Sequence, residues 1–357
     1  MTRGADPIRI LGLATANPEK SFSQEEAIEA LREWYSRVGE ENFDLSLERC
    51  ERVFRNAGVG RRYSVLPVRD LLNPRPLGKK NRLYIDACRR LGSEVVKRAM
   101  ENAGCSFEEI DLIITTSCTG FMIPSLDAFL LAEYPFRRDV GRLPVTELGC
   151  AAGVAALRIA RDYLRGNPTS TVLIVAAETP TMNFQPTDGT GDHLVSCAIF
   201  GDGAAALVLG CRGEGGFALE EVGTRFFDGT ESFMGFDLEE TGFHIFLSPR
   251  IPRFIRTDLI PAVREILDGF QLPEPVRSWL VHPGGPKILE AIEESLGLSP
   301  EDLSLSRGVL RDFGNMSSAT IFFILERFLK AEQDGRFHGI IAVGPGFQAD
   351  MAVLRKD

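Results

Sequence analysis

One pattern occurs twice in this chain, and it limits the folds open to it. The segment SEVVKRAMENAGCSFEEIDLIITTSCTG reads as an amphipathic helix, an acidic linker and an apolar, β-rich strand that stops at small residues. Much later, PAVREILDGFQLPEPVRSWLVHPGG runs in the same order. Each strand is followed by a Gly-X step into a helix, LGCAAGVAALRIARDYL in the first copy and FGNMSSATIFFILERFL in the second. Cys118 and Cys150 lie 32 positions apart, His282 and Asn315 lie 33 apart. Two further strands close each copy: STVLIVAAE and GAAALVLG, then GIIAVGPG and ADMAVLRK.

Such a repeat predicts a duplicated unit, with an N-terminal half over 1–212 and a C-terminal half over 213–357, meeting near CRGEGG. Strands alternating with helices predict a layered α/β architecture. The helices after the Gly-X steps are apolar nearly all round, so they are expected to be buried between the halves. Two unrelated α/β domains in tandem are the competing arrangement.

The 357 residues suffice for a large core. A net charge of −10 argues against a nucleic-acid partner, which needs a concentrated basic face. Only local clusters such as RRYSV and FRRDVGR remain as candidate anion sites. The seven cysteines are scattered, with no CxxC pattern to suggest a metal or a disulfide framework. There is no secretory leader pattern and no apolar run of about 18 residues, so a reduced, cytoplasmic protein without a membrane span is expected.

If a pseudo-twofold relates the halves, the starts of the two repeated helices face a common centre. Cys150 opens one helix, Asn315 the other, and His282 ends the strand before Asn315. A thiol at a helix N-terminus feels the positive end of the dipole, and a neighbouring histidine stabilises its thiolate further. Cys150 is therefore a candidate nucleophile toward a thioester carbonyl. His282 and Asn315 are candidate donors to an oxyanion or enolate. Taken singly, each has an ordinary alternative: an inert small hydrophobe, a strand-end residue and a helix cap. The functional reading rests on their corresponding places in the repeat.

With those residues in view, ELGCAAGVAAL, FGDGAAALVLG, VHPGGPKILEAIE, FGNMSSATIFFIL and VGPGF together resemble the chalcone-synthase-like type III polyketide synthases of the thiolase-fold superfamily. The likeness runs over nearly the whole chain in the family's order. It implies a thiolase fold of two pseudo-twofold-related halves in five αβαβα layers. It also implies a homodimer that takes an acyl-CoA starter onto Cys150 and extends it with malonyl-CoA, without metal or redox cofactor. His282 and Asn315 would bind the malonyl thioester carbonyl during loss of CO₂.

Further positions carry over from the resemblance. Phe200 matches a gatekeeper aromatic between tunnel and cavity, with core packing as its alternative. Arg49 and Arg52 fall where the family places cations for the phosphates of CoA; a third cation is replaced here by Asn56, with Arg55 as a candidate substitute. Thr116, Glu178 and Ser317 match a polar network that influences ring closure. Gly344, Pro345 and Gly346 match a loop shaping the cavity wall. Ile245 stands in place of a second gatekeeper phenylalanine, and Cys118 is expected at a tunnel wall or as a buried spectator. Pro180, Thr181 and Asn183 replace cavity-shaping residues of plant enzymes. Ile245 and the apolar surroundings of Cys118 point to a bacterial-type enzyme extending fatty acyl-CoA to alkylpyrones or alkylresorcinols. A synthase starting from malonyl-CoA to give tetrahydroxynaphthalene, a single-step ketoacyl synthase, a non-catalytic CoA-binding protein and a cysteine peptidase are the alternatives.

Overall fold

The computed structural model describes residues 6–357. Among these, the chain forms strands β1 (Ile8–Ala16), β2 (Lys20–Ser23), β3 (Arg61–Ser64), β4 (Leu112–Thr116), β5 (Gly141–Val145), β6 (Thr171–Glu178), β7 (Gly203–Gly210), β8 (Phe217–Phe226), β9 (Met234–Glu239), β10 (Gly242–Leu247), β11 (Val276–Val281), β12 (Phe337–Gly344) and β13 (Gln348–Lys356). Nine of them make one sheet in the order β11-β12-β13-β8-β1-β7-β6-β4-β5. Read outward from the β8–β1 junction, β1-β7-β6-β4 on one side is matched by β8-β13-β12-β11 on the other. The repeat seen in the sequence is thus a repeat of topology. The halves join through a short antiparallel contact, Ile8 with Leu219 and Arg9 with Ala218.

Strand composition explains the layering. In β4, β6 and β7 both faces are buried, so the strands are continuous apolar runs. Ile114, Ile174 and Leu207 face one core, while Ile113, Val175 and Val208 face another, as a period of two requires. The parallel pairs β4–β6 and β11–β12 need crossovers, which helices Ala152–Gly166 and Thr320–Lys330 supply.

These two helices form the central layer. Ala152–Gly166 packs on β4 and β6 and also on β8, β12 and β13; Thr320–Lys330 packs on β1, β7 and β11. Helix Leu77–Ala103 covers the outer face of β1, β6 and β7, and Ile260–Phe270 covers β8. The result is the five-layered thiolase fold. The central helices touch closely near their starts: a Cβ on Gly153 would lie 2.5 Å from the Ser318 carbonyl oxygen. Any larger residue would push the halves apart near the starts of the two central helices.

Two additions roof the site. Helices Gln24–Val38, Leu47–Arg55 and Gly191–Ile199 share a small core around Trp34, Phe54 and Leu194. The β9–β10 hairpin leans over the same opening. Its residues Phe243 and Leu247 are tethered by the loop ahead of helix Gly191–Ile199 and by that helix. Gln185 Nε2 donates to the Phe243 carbonyl (2.9 Å), and the Leu247 N–H donates to the Asp192 carboxylate (2.8 Å). His244 Nδ1 lies 3.2 Å from Asp188.

Candidate active site

Cys150 sits in the tight turn Gly149–Ala151 immediately before helix Ala152–Gly166. That turn exists because Gly149 takes a φ of +52° and leaves room for Pro345, whose Cδ would be 2.6 Å from a Cβ there. Gly344 is equally constrained, with the Leu148 carbonyl oxygen 2.5 Å from the position of its missing Cβ. The Gly-Pro-Gly loop therefore seats the cysteine turn. Pro345 and Gly346 line the cavity, whereas Gly344 packs behind the wall.

Asn315 approaches from the other half. Its N–H donates to the Ile199 carbonyl (2.8 Å), and its own carbonyl accepts from the Gly201 N–H (3.0 Å), so the backbone on both sides of Phe200 is tied to Asn315. The Asn315 Oδ1 accepts from the Ser317 N–H (2.8 Å) and from the Thr320 hydroxyl (3.4 Å). With its oxygen so held, the amide Nδ2 is the group left to donate, and it lies 4.0 Å from Cys150 Sγ. The oxygen organises the turn, as a capping residue's would, and among the described residues the nitrogen is left without a partner closer than Cys150 Sγ.

His282 follows β11, and its N–H donates to the Ile341 carbonyl (2.8 Å). The side chain is buried, yet neither ring nitrogen has a hydrogen-bond partner among the described residues. Both His282 and Cys150 line one cavity of about 1200 Å³. Burial pushes the histidine down to about 3 and, against hydrogen bonding with Ser317 and Asn315, pushes the thiol up to about 11. Each group alone is therefore neutral at physiological pH. The structure has no hydrogen bond between them, so the thiolate-stabilising contact expected from the sequence is not formed in this state.

The polar network differs from the expected one. Thr116 donates to Ser318 Oγ (3.0 Å), and Ser318 donates to Glu178 Oε1 (2.5 Å). The other Glu178 oxygen accepts from the Thr119 hydroxyl (2.7 Å), the Cys118 N–H (3.1 Å) and Ser117 (3.3 Å). Burial pushes the Glu178 carboxyl up, opposed by these donors. Ser317 belongs instead to the thiols: its Oγ lies 3.2 Å from Cys118 Sγ and accepts from Cys150 Sγ at 3.6 Å. Ser317 has a φ of +49°, in the left-handed region. Ser318, Ser117 and Thr119 were thus absent from the sequence expectation. Two adjacent serines carry no signal of which one faces the carboxylate. Thr116 and Glu178 are buried behind the wall, and Cys118 lines it.

Phe200 and Ile245 both line the cavity, as do Pro180, Arg49 and Arg52. Thr181 faces elsewhere, donating to Asp202 (2.6 Å), and Asn183 Nδ2 donates to the Thr119 carbonyl (3.3 Å). Arg52 pairs with Glu48 (2.7 Å), while Arg49 has no ion pair among the described residues. Arg55 does not take the place of a third cation: it turns to Glu25 and Glu51, 3.4 Å from each, outside the cavity lining.

Several arginines of the basic clusters have partners within the chain. Arg62 is buried and donates to Gln24 (2.6 Å), to the Phe200 carbonyl (3.3 Å) and to the Cys197 carbonyl. Arg137 pairs with Asp111 and Asp139, and Arg142 with Asp127. Among the described residues no group of three or more His, Cys, Asp or Glu is placed to hold a metal ion, and no helix is long and apolar enough to cross a membrane.

Comparison with known proteins places this geometry. Residues 1–213 match the family model for the chalcone and stilbene synthases, N-terminal domain, and residues 219–356 that for the C-terminal domain. The chain is 36% identical to 1,3,6,8-tetrahydroxynaphthalene synthase of Streptomyces griseus, over 95% of this chain and 90% of that protein. It is 30% identical to the alpha-pyrone synthesis polyketide synthase-like protein Pks18 of Mycobacterium tuberculosis, over 94% of this chain and 88% of the relative. The crystal structure of 1,3,6,8-tetrahydroxynaphthalene synthase from Streptomyces coelicolor A3(2), a bacterial type III polyketide synthase, superposes with a TM-score of 0.91 at 32% identity. That match covers 98% of this chain and 99% of the other.

Proposed function

This chain belongs to the chalcone and stilbene synthases, the type III polyketide synthases, and from that premise we propose that it loads an acyl starter from coenzyme A onto Cys150 and extends it with malonyl-CoA. Enzymes of this class are condensing acyltransferases. In the proposed first step the Cys150 sulfur attacks the starter thioester, the C–S bond to CoA breaks, and the CoA sulfur leaves with the cysteine's proton. In the second step malonyl-CoA loses CO₂, and its thioester carbonyl becomes an enolate oxygen. His282 and the Asn315 Nδ2 are the donors proposed for that oxygen. The enolate carbon then attacks the acyl-cysteine, forming the new C–C bond and expelling the Cys150 sulfur. The observation that carries this reading is the pair of partnerless His282 ring nitrogens, buried in the wall that also holds Cys150 and the amide of Asn315. A buried polar group without a partner is costly, which a bound carbonyl would relieve.

For the starter we propose a fatty acyl group. Phe200, Phe236, Phe243 and Ile245 wall the cavity, and the same four residues border a second space of about 50 Å³ behind it. An apolar wall of this kind suits an alkyl chain. A second reading is supported by the similarity to tetrahydroxynaphthalene synthases and by the polar groups at Cys118, Ser117 and Ser317 beside Cys150: malonyl-CoA as starter as well as extender. Incubation with malonyl-CoA alone and with an added series of acyl-CoAs separates them by product mass. Alkyl-bearing products dominating at equal concentrations support the first reading; a product from malonyl-CoA alone that added acyl-CoA does not divert overturns it.

We also propose a homodimer working in the cytoplasm. Strand β5 is the sheet's edge, with Leu143 exposed along it, and Phe121 and Ile123 are exposed at the end of the adjoining β4 loop. An open apolar edge is a liability for a lone subunit. Light scattering should give about twice the 39.3 kDa chain mass; a monomer at micromolar concentration would contradict it.

A further inference from the structure

The cavity's cationic lining is drawn from both halves of the chain. Arg49 and Arg52 come from helix Leu47–Arg55, and a third cation, Lys287, comes from the first turn of helix Pro286–Leu296. The chain leaving the first helix meets the start of the second. The loop trailing Leu47–Arg55 reaches Gly58, and a Cβ there would stand 3.0 Å from Pro286 Cγ, the residue before Lys287. Asn56, in the same trailing segment, lines the cavity too.

Lys287 is exposed and, among the described residues, has no ion pair and no side-chain hydrogen bond. The carboxylates that share the cavity, Glu147, Asp192 and Glu231, make no ion pair with it, nor do Glu290 and Glu294 on its own helix. Its position also opposes the helix: a cation in the first turn meets the positive end of the dipole, so the charge does nothing for local stability. An unneutralised lysine in the first turn of a helix, lining the same cavity as two arginines, is a setting that favours a phosphorylated ligand.

We propose that Lys287 binds a phosphate of coenzyme A, completing with Arg49 and Arg52 a three-cation clamp contributed by the two halves. This rests on the CoA-thioester reading above. The remainder of the CoA arm then runs inward along the cavity toward Cys150. Because the contact is made equally before and during reaction, it acts on binding and leaves the chemical step alone.

Titration calorimetry with CoA and with pantetheine, which lacks phosphates, tests the assignment without requiring turnover. Lys287→Ala should weaken CoA binding about three- to tenfold, leave pantetheine unchanged and flatten the salt dependence. Lys287→Arg should retain the wild-type affinity. In steady-state assays Lys287→Ala should raise KM for acyl-CoA and malonyl-CoA by the same factor with kcat unchanged. Equal CoA affinity in Lys287→Ala, or an equal loss for pantetheine, would overturn the proposal. A wild-type protein that binds CoA yet condenses nothing would sink the functional reading while leaving Lys287's role standing; failure to bind CoA would overturn both.

Discussion

At the level of single residues, the site pairs a thiol and an imidazole whose surroundings each favour the neutral form. The thiolate is the reactive species, so the proposed chemistry needs a cation near it when substrate enters. The thiol value of about 11 holds with His282 neutral. Transfer of the Cys150 proton to His282 makes an ion pair whose imidazolium stabilises the thiolate, and a variant without the imidazole has no such acceptor. Alkylation of Cys150 by iodoacetamide across pH should therefore follow a lower apparent pKa in wild type than in His282→Gln. Superimposable profiles would show that His282 does not influence the thiol. That Cys150, His282 and Asn315 gather at one cavity was legible in the sequence, from the end of a repeated strand and the starts of the two repeated helices. That Ser318, and not Ser317, contacts Glu178 was not, since adjacent serines carry no signal of which one faces the carboxylate. The turn of Arg55 toward Glu25 was equally hidden, because its partner lies 30 residues away.

Among the elements, the cysteine turn and the β9–β10 hairpin divide the labour between reactivity and substrate size. Gly149→Ala forces a Cβ against Pro345 at a positive φ, and should cost about 1–3 kcal/mol in urea unfolding. It should also slow acylation of Cys150, since the strain falls on the nucleophile's own turn; unchanged stability and acylation would contradict this. Ile245 projects from a hairpin pinned at Phe243 and Leu247, so a larger side chain has little freedom to move aside. Ile245→Trp should lower kcat/KM for a long acyl-CoA about tenfold relative to a short one, a difference of about 1.4 kcal/mol. No change in chain-length preference would place the alkyl group elsewhere. Strand and helix identities were readable from apolar runs and Gly-X starts. The hairpin's lean over the cavity was not, because it is set by hydrogen bonds from residues 185 and 192 that no periodicity reports.

For the whole molecule, the proposed catalytic groups depend on two halves meeting through central helices. Phe322 lies buried in that shared core, with side chains from both halves around it. Phe322→Ala should cost about 3–5 kcal/mol. The loss should appear in one unfolding transition, because neither half retains its central layer alone; two separated transitions would show that the halves are independent. The duplicated order of strands was visible in the sequence before any coordinate, and the similar proteins share it over nearly their full length. The joining of the halves at Ile8 and Arg9 into one sheet was not visible, since two paired residues leave no pattern. The central claim is that this assembly makes Cys150 an acyl acceptor. Intact-protein mass spectrometry after incubation with a series of acyl-CoAs tests it most directly. The account predicts a single acyl adduct on wild type that is absent from Cys150→Ala. An adduct persisting in that variant, or no adduct with any acyl-CoA, would contradict it.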